Sequence, residues 1–181
     1  MRRRTPQQLL AEYHETVVLK LVGGRKTPRS GAGRVKGDII TDTLMVECKA
    51  TQTTASVRVA HELLFAVYRE ASRQGRIPVL SVMCASGDPT LPTSLQTDWL
   101  YFLWPVSSRS NRVKTDAVYL QRSMRTPVLY MIADAPPGYP QSWRLGCIEH
   151  LQKEKLFFPS MKSSNDNTRL TLPRSSQRKT S

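Results

Sequence analysis

The chain has 181 residues, 39% of them apolar, and its 27 Lys and Arg against 14 Asp and Glu give a formal net charge of +13. This length suits one domain with a hydrophobic core, and the composition excludes a collagen-like, mucin-like or wholly disordered chain. The charge favours a polyanionic partner, with nucleic acid ahead of an anionic membrane.

The N-terminal part of the chain predicts a helix followed by a basic loop. Residues 6–22 carry apolar side chains at helical spacing, and Gly23-Gly24 ends the pattern. The face that we expect to be buried comprises Leu10, Tyr13, Val17 and Leu21. Residues 24–37 then hold five bases and no acid, which suits contacts to phosphates. These predicted DNA-binding residues are Arg25, Lys26, Arg29, Arg34 and Lys36.

The following segments alternate between strand and helix patterns. Residues 35–41 and 44–50 are β-rich runs joined around Asp42-Thr43, which predicts a hairpin. Residues 56–74 predict a helix that Gly75 ends. Further strands are predicted at residues 78–84, 98–106 and 126–134. The order predicts an α/β fold in which helices flank a mixed central β-sheet.

We expect one domain over residues 1–158. Residues 159–181 hold five bases, one acid and few apolar side chains, which predicts a basic tail that is disordered beyond about residue 165. Apart from the strand at 126–134, the sequence of residues 107–158 assigns that segment no role.

The strongest chemical signal lies on the predicted hairpin. Glu47 and Lys49 are two apart in a strand and therefore share a face, and the paired strand can bring Asp38 beside them. Two close carboxylates repel each other, which favours a hard divalent cation between them. The alternative is a surface hairpin in which Glu47 and Lys49 form an ordinary ion pair.

These residues together resemble the PD-(D/E)XK nuclease superfamily, with the closest likeness to archaeal Holliday-junction resolvases and small phage-type endonucleases. The resemblance rests on Glu15, Ser30-Gly31, Gly37-Asp38 and Glu47-Cys48-Lys49, and spans roughly residues 9–84. It implies a restriction-endonuclease-like core with the element order αβββαβ. The Pro that usually precedes the family's Asp is replaced here by Gly37.

The resemblance also implies individual roles. The implied catalytic residues are Glu15, Ser30, Asp38, Glu47 and Lys49. Glu15, Asp38 and Glu47 would bind the metal, with the backbone carbonyl of Cys48 as a further ligand. Lys49 would be the catalytic lysine, and Ser30 would place a hydroxyl near the scissile phosphate. The implied cofactor is Mg²⁺, for which Mn²⁺ would substitute.

The helix offers a second carboxylate, Glu12, one turn before Glu15. We prefer Glu15 because Val18, Leu19 and Val22 follow it at three, four and seven positions, as expected for a glutamate that faces inward.

Two classes of function fit these features. The first is a Mg²⁺-dependent DNA endonuclease of recombination or repair, selective for branched DNA such as a Holliday junction and acting as a homodimer. The second is a non-catalytic basic nucleic-acid-binding protein on the same fold, and a restriction-type endonuclease is a further alternative. Only a nuclease explains the carboxylates, because they weaken binding to phosphates unless a metal neutralises them.

Cysteine content and hydropathy predict where the protein works. Cys48, Cys84 and Cys147 cannot form a disulfide framework, and their spacing fits no zinc finger. No stretch reaches the roughly 18 apolar residues that cross a bilayer, and no apolar run follows the N-terminal arginines as in a signal peptide. We therefore expect a cytoplasmic protein without a membrane partner. An enzyme that is encoded by a phage and acts in the cytoplasm of the host also fits this expectation.

Overall fold

The computed structural model describes most of the chain between Arg4 and Glu154. The described residues are 4–27, 37–52, 56–107, 113–115, 117–132 and 134–154. Most of the predicted basic loop, residues 28–36, and the whole predicted tail, residues 159–181, lie outside them.

Within the described residues, a mixed sheet of eight strands forms the centre of the fold. Its strands are β1 (Arg25–Lys26), β2 (Ile39–Ile40), β3 (Leu44–Thr51), β5 (Ile77–Ser86), β6 (Gln96–Pro105), β7 (Val113–Thr115), β9 (Val128–Ile132) and β10 (Ser142–Gly146). The spatial order is β1-β2-β3-β5-β6-β10-β9-β7, with parallel pairing of β3 to β5 and of β7 to β9. The strands β4 (Val57–Ala60) and β8 (Ala117–Leu120) pair separately as an antiparallel ribbon.

The helices α1 (Pro6–Val22), α2 (His61–Arg73) and α3 (Ile148–Lys153) cover both faces of this sheet. Val18 of α1 and Leu151 of α3 pack in one cluster with Val46 of β3. A second cluster contains Leu64 of α2, Met45 of β3 and apolar residues of the β4–β8 ribbon. Successive strand residues point to opposite faces, so α1 and α3 lie on one face and α2 and the ribbon on the other. The predicted α/β fold with a mixed sheet between helices is confirmed.

The first helix has the predicted bounds, but its buried face differs from the prediction. The amide of Gln8 donates to Thr5 Oγ1 at 3.3 Å while the Gln8 side chain accepts from the Thr5 amide at 2.9 Å, a capping box that fixes the start. The buried residues are Leu10, His14, Glu15 and Val18. Leu21, predicted to be buried, is 37% exposed because the contact with the sheet follows the row of residues 10, 14 and 18.

The helix predicted over residues 56–74 begins later than predicted. Val57 and Val59 alternate in a strand and pair with Leu120 and Val118, so residues 57–60 form β4 and not the first turns of α2. The helix runs over residues 61–73, and Gly75 follows it with φ +63°, which agrees with the predicted end. The prediction failed at the start because β4 is specified by a partner strand far along the chain.

The remaining predicted strands are present with shifted bounds, and residues 107–158 complete the architecture. The run predicted at 35–41 forms only the two-residue β2, and residues 35–36 lie outside the described part of the chain. The described residues beyond 107 supply β7 to β10 and α3, so this segment builds one side of the sheet. Among the described residues, no helix has the length and apolar character that crossing a membrane requires.

Candidate functional site

The hairpin of β2 and β3 fixes the position of Asp38. Its backbone amide donates to the carbonyl of Val46 at 2.9 Å, in line with the antiparallel pairing of Ile39 with Val46. The backbone pairing of β2 with β3 ends at this point. The next hydrogen bond to β3 is made by the Asp38 side chain, whose Oδ2 accepts from the amide of Cys48 at 2.7 Å. A carboxylate is thereby held directly against β3, at the residues that the sequence singles out.

Glu47 and Lys49 lie side by side on β3, on the face that α2 covers. Lys49 Nζ lies 2.7 Å from Glu47 Oε1, and the two side chains are 49% and 24% exposed, respectively. The ion pair of the alternative interpretation is therefore present. However, this ion pair lies beside the half-buried carboxylate of Asp38. An ordinary ion pair on the surface would not need a second carboxylate next to it.

The electrostatics show that these groups act on one another. Burial first, and then the charge of Glu47, raises the pKa of Asp38 to about 6, and Glu15 adds to this effect. The hydrogen bond from Cys48 and the charge of Lys49 act in the opposite direction. Asp38 is therefore a carboxylate whose charge is poorly compensated, as expected where a cation is to bind.

Lys49 remains an ammonium ion in this environment. Burial lowers its pKa, but the hydrogen bond to Glu47 and the charges of Glu47 and Asp38 outweigh burial, so that the net shift is upward. The side chain can therefore stabilise negative charge, whereas it cannot accept a proton near neutral pH.

Packing on α1 distinguishes between the two helix carboxylates. Glu15 is buried and its Oε2 lies 3.5 Å from Lys26 Nζ, whereas Glu12 is more exposed and pairs with Arg4 at 2.5 Å. Glu15 is also one of the charges that raise the pKa of Asp38. Glu15 is therefore buried and within electrostatic reach of Asp38, although α1 lies on the face of the sheet opposite to the one that carries Glu47 and Lys49.

Cys48 faces α1 and contributes no thiolate. Burial, followed by the charges of Asp38 and Glu15, raises the pKa of its thiol well above the ordinary range. Hard cations prefer oxygen ligands, so the atom of Cys48 that suits such a cation is the backbone carbonyl, which is the role that the resemblance implies.

His14 is a buried residue of this region that sequence reasoning missed. His14 lies on α1 and is fully buried. Its Nε2 lies 2.9 Å from Ser81 Oγ, and burial, with a smaller effect of Lys49, lowers its pKa to about 3. The residue is therefore a neutral imidazole at physiological pH. The sequence did carry a signal for this burial: His14 is four residues from both Leu10 and Val18, so the three side chains share one face of the helix.

Gly37 explains why proline is absent before Asp38. Its φ is +96°, and a Cβ at this position would lie 2.6 Å from Met45 Cγ. Proline is restricted to φ near −65°, so proline cannot adopt this backbone conformation at position 37. Thr27 secures the same turn, since its hydroxyl donates to the carbonyl of Gly37.

The predicted phosphate-binding loop is described only at its start. Arg25 and Lys26 form β1 and pair with β2, and Lys26 also donates to Thr16 Oγ1 at 3.0 Å. Ser30, Arg29, Arg34 and Lys36 lie outside the described residues, and their predicted roles remain predictions. Lys26 was predicted to contact DNA, whereas its ammonium here lies beside the carboxylate of Glu15.

The donor set fits Mg²⁺ better than a soft metal. Within the described residues, no group of three or more His, Cys, Asp or Glu side chains is arranged to hold a metal ion. Mg²⁺ commonly needs only one or two carboxylates, since it keeps several of its waters. Asp38 and Glu47 offer such oxygen ligands, and Cys48, whose amide donates to Asp38 and which follows Glu47 on β3, adds a backbone carbonyl.

Comparison of the chain with protein-family models, with curated proteins and with solved structures finds no match.

Proposed function

We propose that this protein is a metal-dependent DNA endonuclease with a restriction-endonuclease-like core and a preference for branched DNA. The observation that supports it is the convergence of Asp38, Glu47 and Lys49, with Glu15 close enough to raise the pKa of Asp38. The element order α1, β1, β2, β3, α2, β5 suits this core, with β4 as an addition before α2.

In this proposal Asp38, Glu47 and the carbonyl of Cys48 would hold Mg²⁺, and Glu15 would complete the site from α1. When bound, Mg²⁺ supplies polarisation of a phosphate oxygen and a lowered pKa for a coordinated water. Lys49 stays protonated and stabilises the additional negative charge that develops on the phosphate. The basic residues that begin at Arg25 hold the backbone of the DNA, which fixes its position without reading its sequence.

The preference for branched DNA follows from having one such site per chain. Cutting two strands requires two sites, which a symmetric homodimer provides. Phosphate contacts do not specify sequence, so selectivity would come from the angle between the two bound DNA segments. A branched DNA matches that angle without the cost of bending a duplex.

The second candidate is a DNA-binding protein that cuts nothing. It is favoured by the two ion pairs of Lys49 with Glu47 and of Lys26 with Glu15, at 2.7 and 3.5 Å, which compensate both carboxylates without a metal. It leaves unexplained why Asp38 is half-buried with a raised pKa.

Nicking of a labelled four-way junction and of a linear duplex of the same sequence tests the proposal. The assay is run with EDTA, Mg²⁺, Mn²⁺ or Ca²⁺. We expect cutting with Mg²⁺ and Mn²⁺ and faster cutting of the junction. Ca²⁺ should bind without supporting cutting, because its loose coordination positions the water poorly.

Matched variants connect the activity to the site. Asp38→Asn, Glu47→Gln and Lys49→Ala should each abolish cutting while DNA binding persists. Glu149→Gln, an exposed change on α3, should cut like the wild type. Wild-type rates in all three site variants would refute the assignment, whereas binding without cutting by the wild type under every metal would favour the second candidate.

A further inference from the structure

A groove opens beside the candidate site, between β3 and α2. One wall consists of Gly37, Met45 and Glu47. The other wall is the side of α2 that carries Leu63, Ala66, Val67, Arg69, Glu70 and Arg73. Glu47 therefore lines both the candidate catalytic cluster and this groove, and a strand of DNA bound at the cluster has the groove next to it.

The helix wall presents two guanidinium groups to the groove. Arg69 and Arg73 are four residues apart, so they lie on the same side of α2 and about 6 Å apart along its axis. Both residues are exposed, and the Arg73 side chain retains 66% of its accessible surface. Guanidinium groups bind phosphate with two parallel hydrogen bonds, which makes arginine well suited to a backbone contact.

Glu70, between the two arginines, organises this wall. Its Oε2 lies 3.6 Å from Arg73 Nη1, and its Oε1 accepts from Gln74 Nε2 at 3.1 Å. The carboxylate thus holds the end of α2 in place and is compensated by Arg73. Lys49 adds a third cation near the groove, since it pairs with the groove residue Glu47 on the same face of β3.

We propose that α2 carries a second phosphate-binding element, in which Arg69 and Arg73 hold the DNA strand that flanks the scissile phosphate. This inference rests on the proposed function and adds a contact surface that the basic loop does not include. The arginines are positioning residues: they set where the strand lies relative to Glu47, and they touch neither the metal nor the attacked phosphorus.

The test compares two double variants with equal loss of charge. Arg69→Ala/Arg73→Ala removes the proposed contacts. Lys20→Ala/Lys153→Ala removes two exposed cations from α1 and α3, which cover the opposite face of the sheet. Binding to a labelled duplex is measured by fluorescence anisotropy in EDTA, so that no cutting occurs, between 50 and 200 mM salt.

We expect the α2 variant to lower the slope of log K against log salt by about 2, since each lost contact to duplex DNA removes about 0.9. The control should keep the wild-type slope. The conservative variant Arg69→Lys/Arg73→Lys keeps both positive charges and should therefore retain most of the wild-type slope. If the arginines had only a structural role, lysine would not be expected to preserve the slope. Circular dichroism checks that each variant is folded.

The outcomes separate this inference from the proposed function. If the wild type cuts DNA and the α2 variant keeps the wild-type slope, or the control loses as much, the α2 surface is refuted and the nuclease stands. If the wild type binds with the expected slopes but cuts nothing, the α2 surface stands and the nuclease is refuted.

Discussion

Replacing Asp38 by Asn should stabilise the protein in the absence of metal, although it destroys the proposed site. Burial and the charges of Glu47 and Glu15 raise the pKa of Asp38 from 3.8 to about 6. The charged carboxylate is therefore unfavourable in the folded state. Asn has nearly the same shape, has no charge and retains an oxygen that can accept from the amide of Cys48.

The size of the effect follows from the pKa shift. A shift of about 2 units corresponds to about 3 kcal/mol at most, at about 1.4 kcal/mol per unit. Asp38 is only half-buried, so solvent screening reduces this to about 1 kcal/mol. For a chain of this length, about 1 kcal/mol raises the melting temperature by roughly 2–4 °C.

The sign of the pH dependence is also fixed. Between pH 3.8 and about 6 the folded state binds more protons at Asp38 than the unfolded state, so the contribution of Asp38 to stability falls as the pH rises through this window. The advantage of Asp38→Asn should therefore be absent near pH 3.8 and complete above pH 6. His14 acts in the opposite direction over part of this range, so the difference between variant and wild type is the informative quantity.

Thermal unfolding in EDTA at about pH 4 and pH 8 measures this difference. Asp42→Asn, which removes a carboxylate from the exposed turn of the same hairpin, is the control and should leave the melting temperature unchanged. Mg²⁺ should then raise the melting temperature of the wild type more than that of Asp38→Asn. A variant that melts below the wild type at pH 8, or a difference that is equal at both pH values, would refute the reasoning.

Four further predictions concern α1 and the turn before Asp38. His14→Ala should lower the free energy of unfolding by about 2–4 kcal/mol in urea, because it empties a buried site and leaves a hydroxyl without its partner. Relative to His14→Gln, the wild type should lose stability as the pH falls below 6.5 towards 3, where only the unfolded state binds the proton. Gly37→Ala should cost about 1–3 kcal/mol by the same measurement, and more than Gly138→Ala, where φ is also positive but no atom lies within 4 Å. In the nicking assay, Glu15→Gln should reduce the rate about tenfold or more while Glu12→Gln should not; equal effects would contradict the placement of Glu15.

Local sequence determined the elements whose signals lie within a few residues. The capping box of Thr5 and Gln8 and the glycine at position 23 set both ends of α1. The apolar runs around the turn at 41–43 set the β2–β3 hairpin, and with it the meeting of Asp38 with Glu47 and Lys49. These features were predictable because a turn and a strand period of two fix which side chains share a face.

Tertiary structure decided what depends on partners far along the chain. Val57 and Val59 form a strand because Leu120 and Val118 pair with them, a contact that no local pattern specifies. His14 is buried because β5 places Ser81 against it, so a polar residue occupies the buried face of α1 and obscures the helical pattern. The groove beside Glu47 likewise exists only once α2 packs on β3, since the sequence shows two arginines on a helix but not what they face. Burial and long-range pairing are properties of the whole chain, and these properties set the pKa of Asp38 and the surroundings of the candidate site.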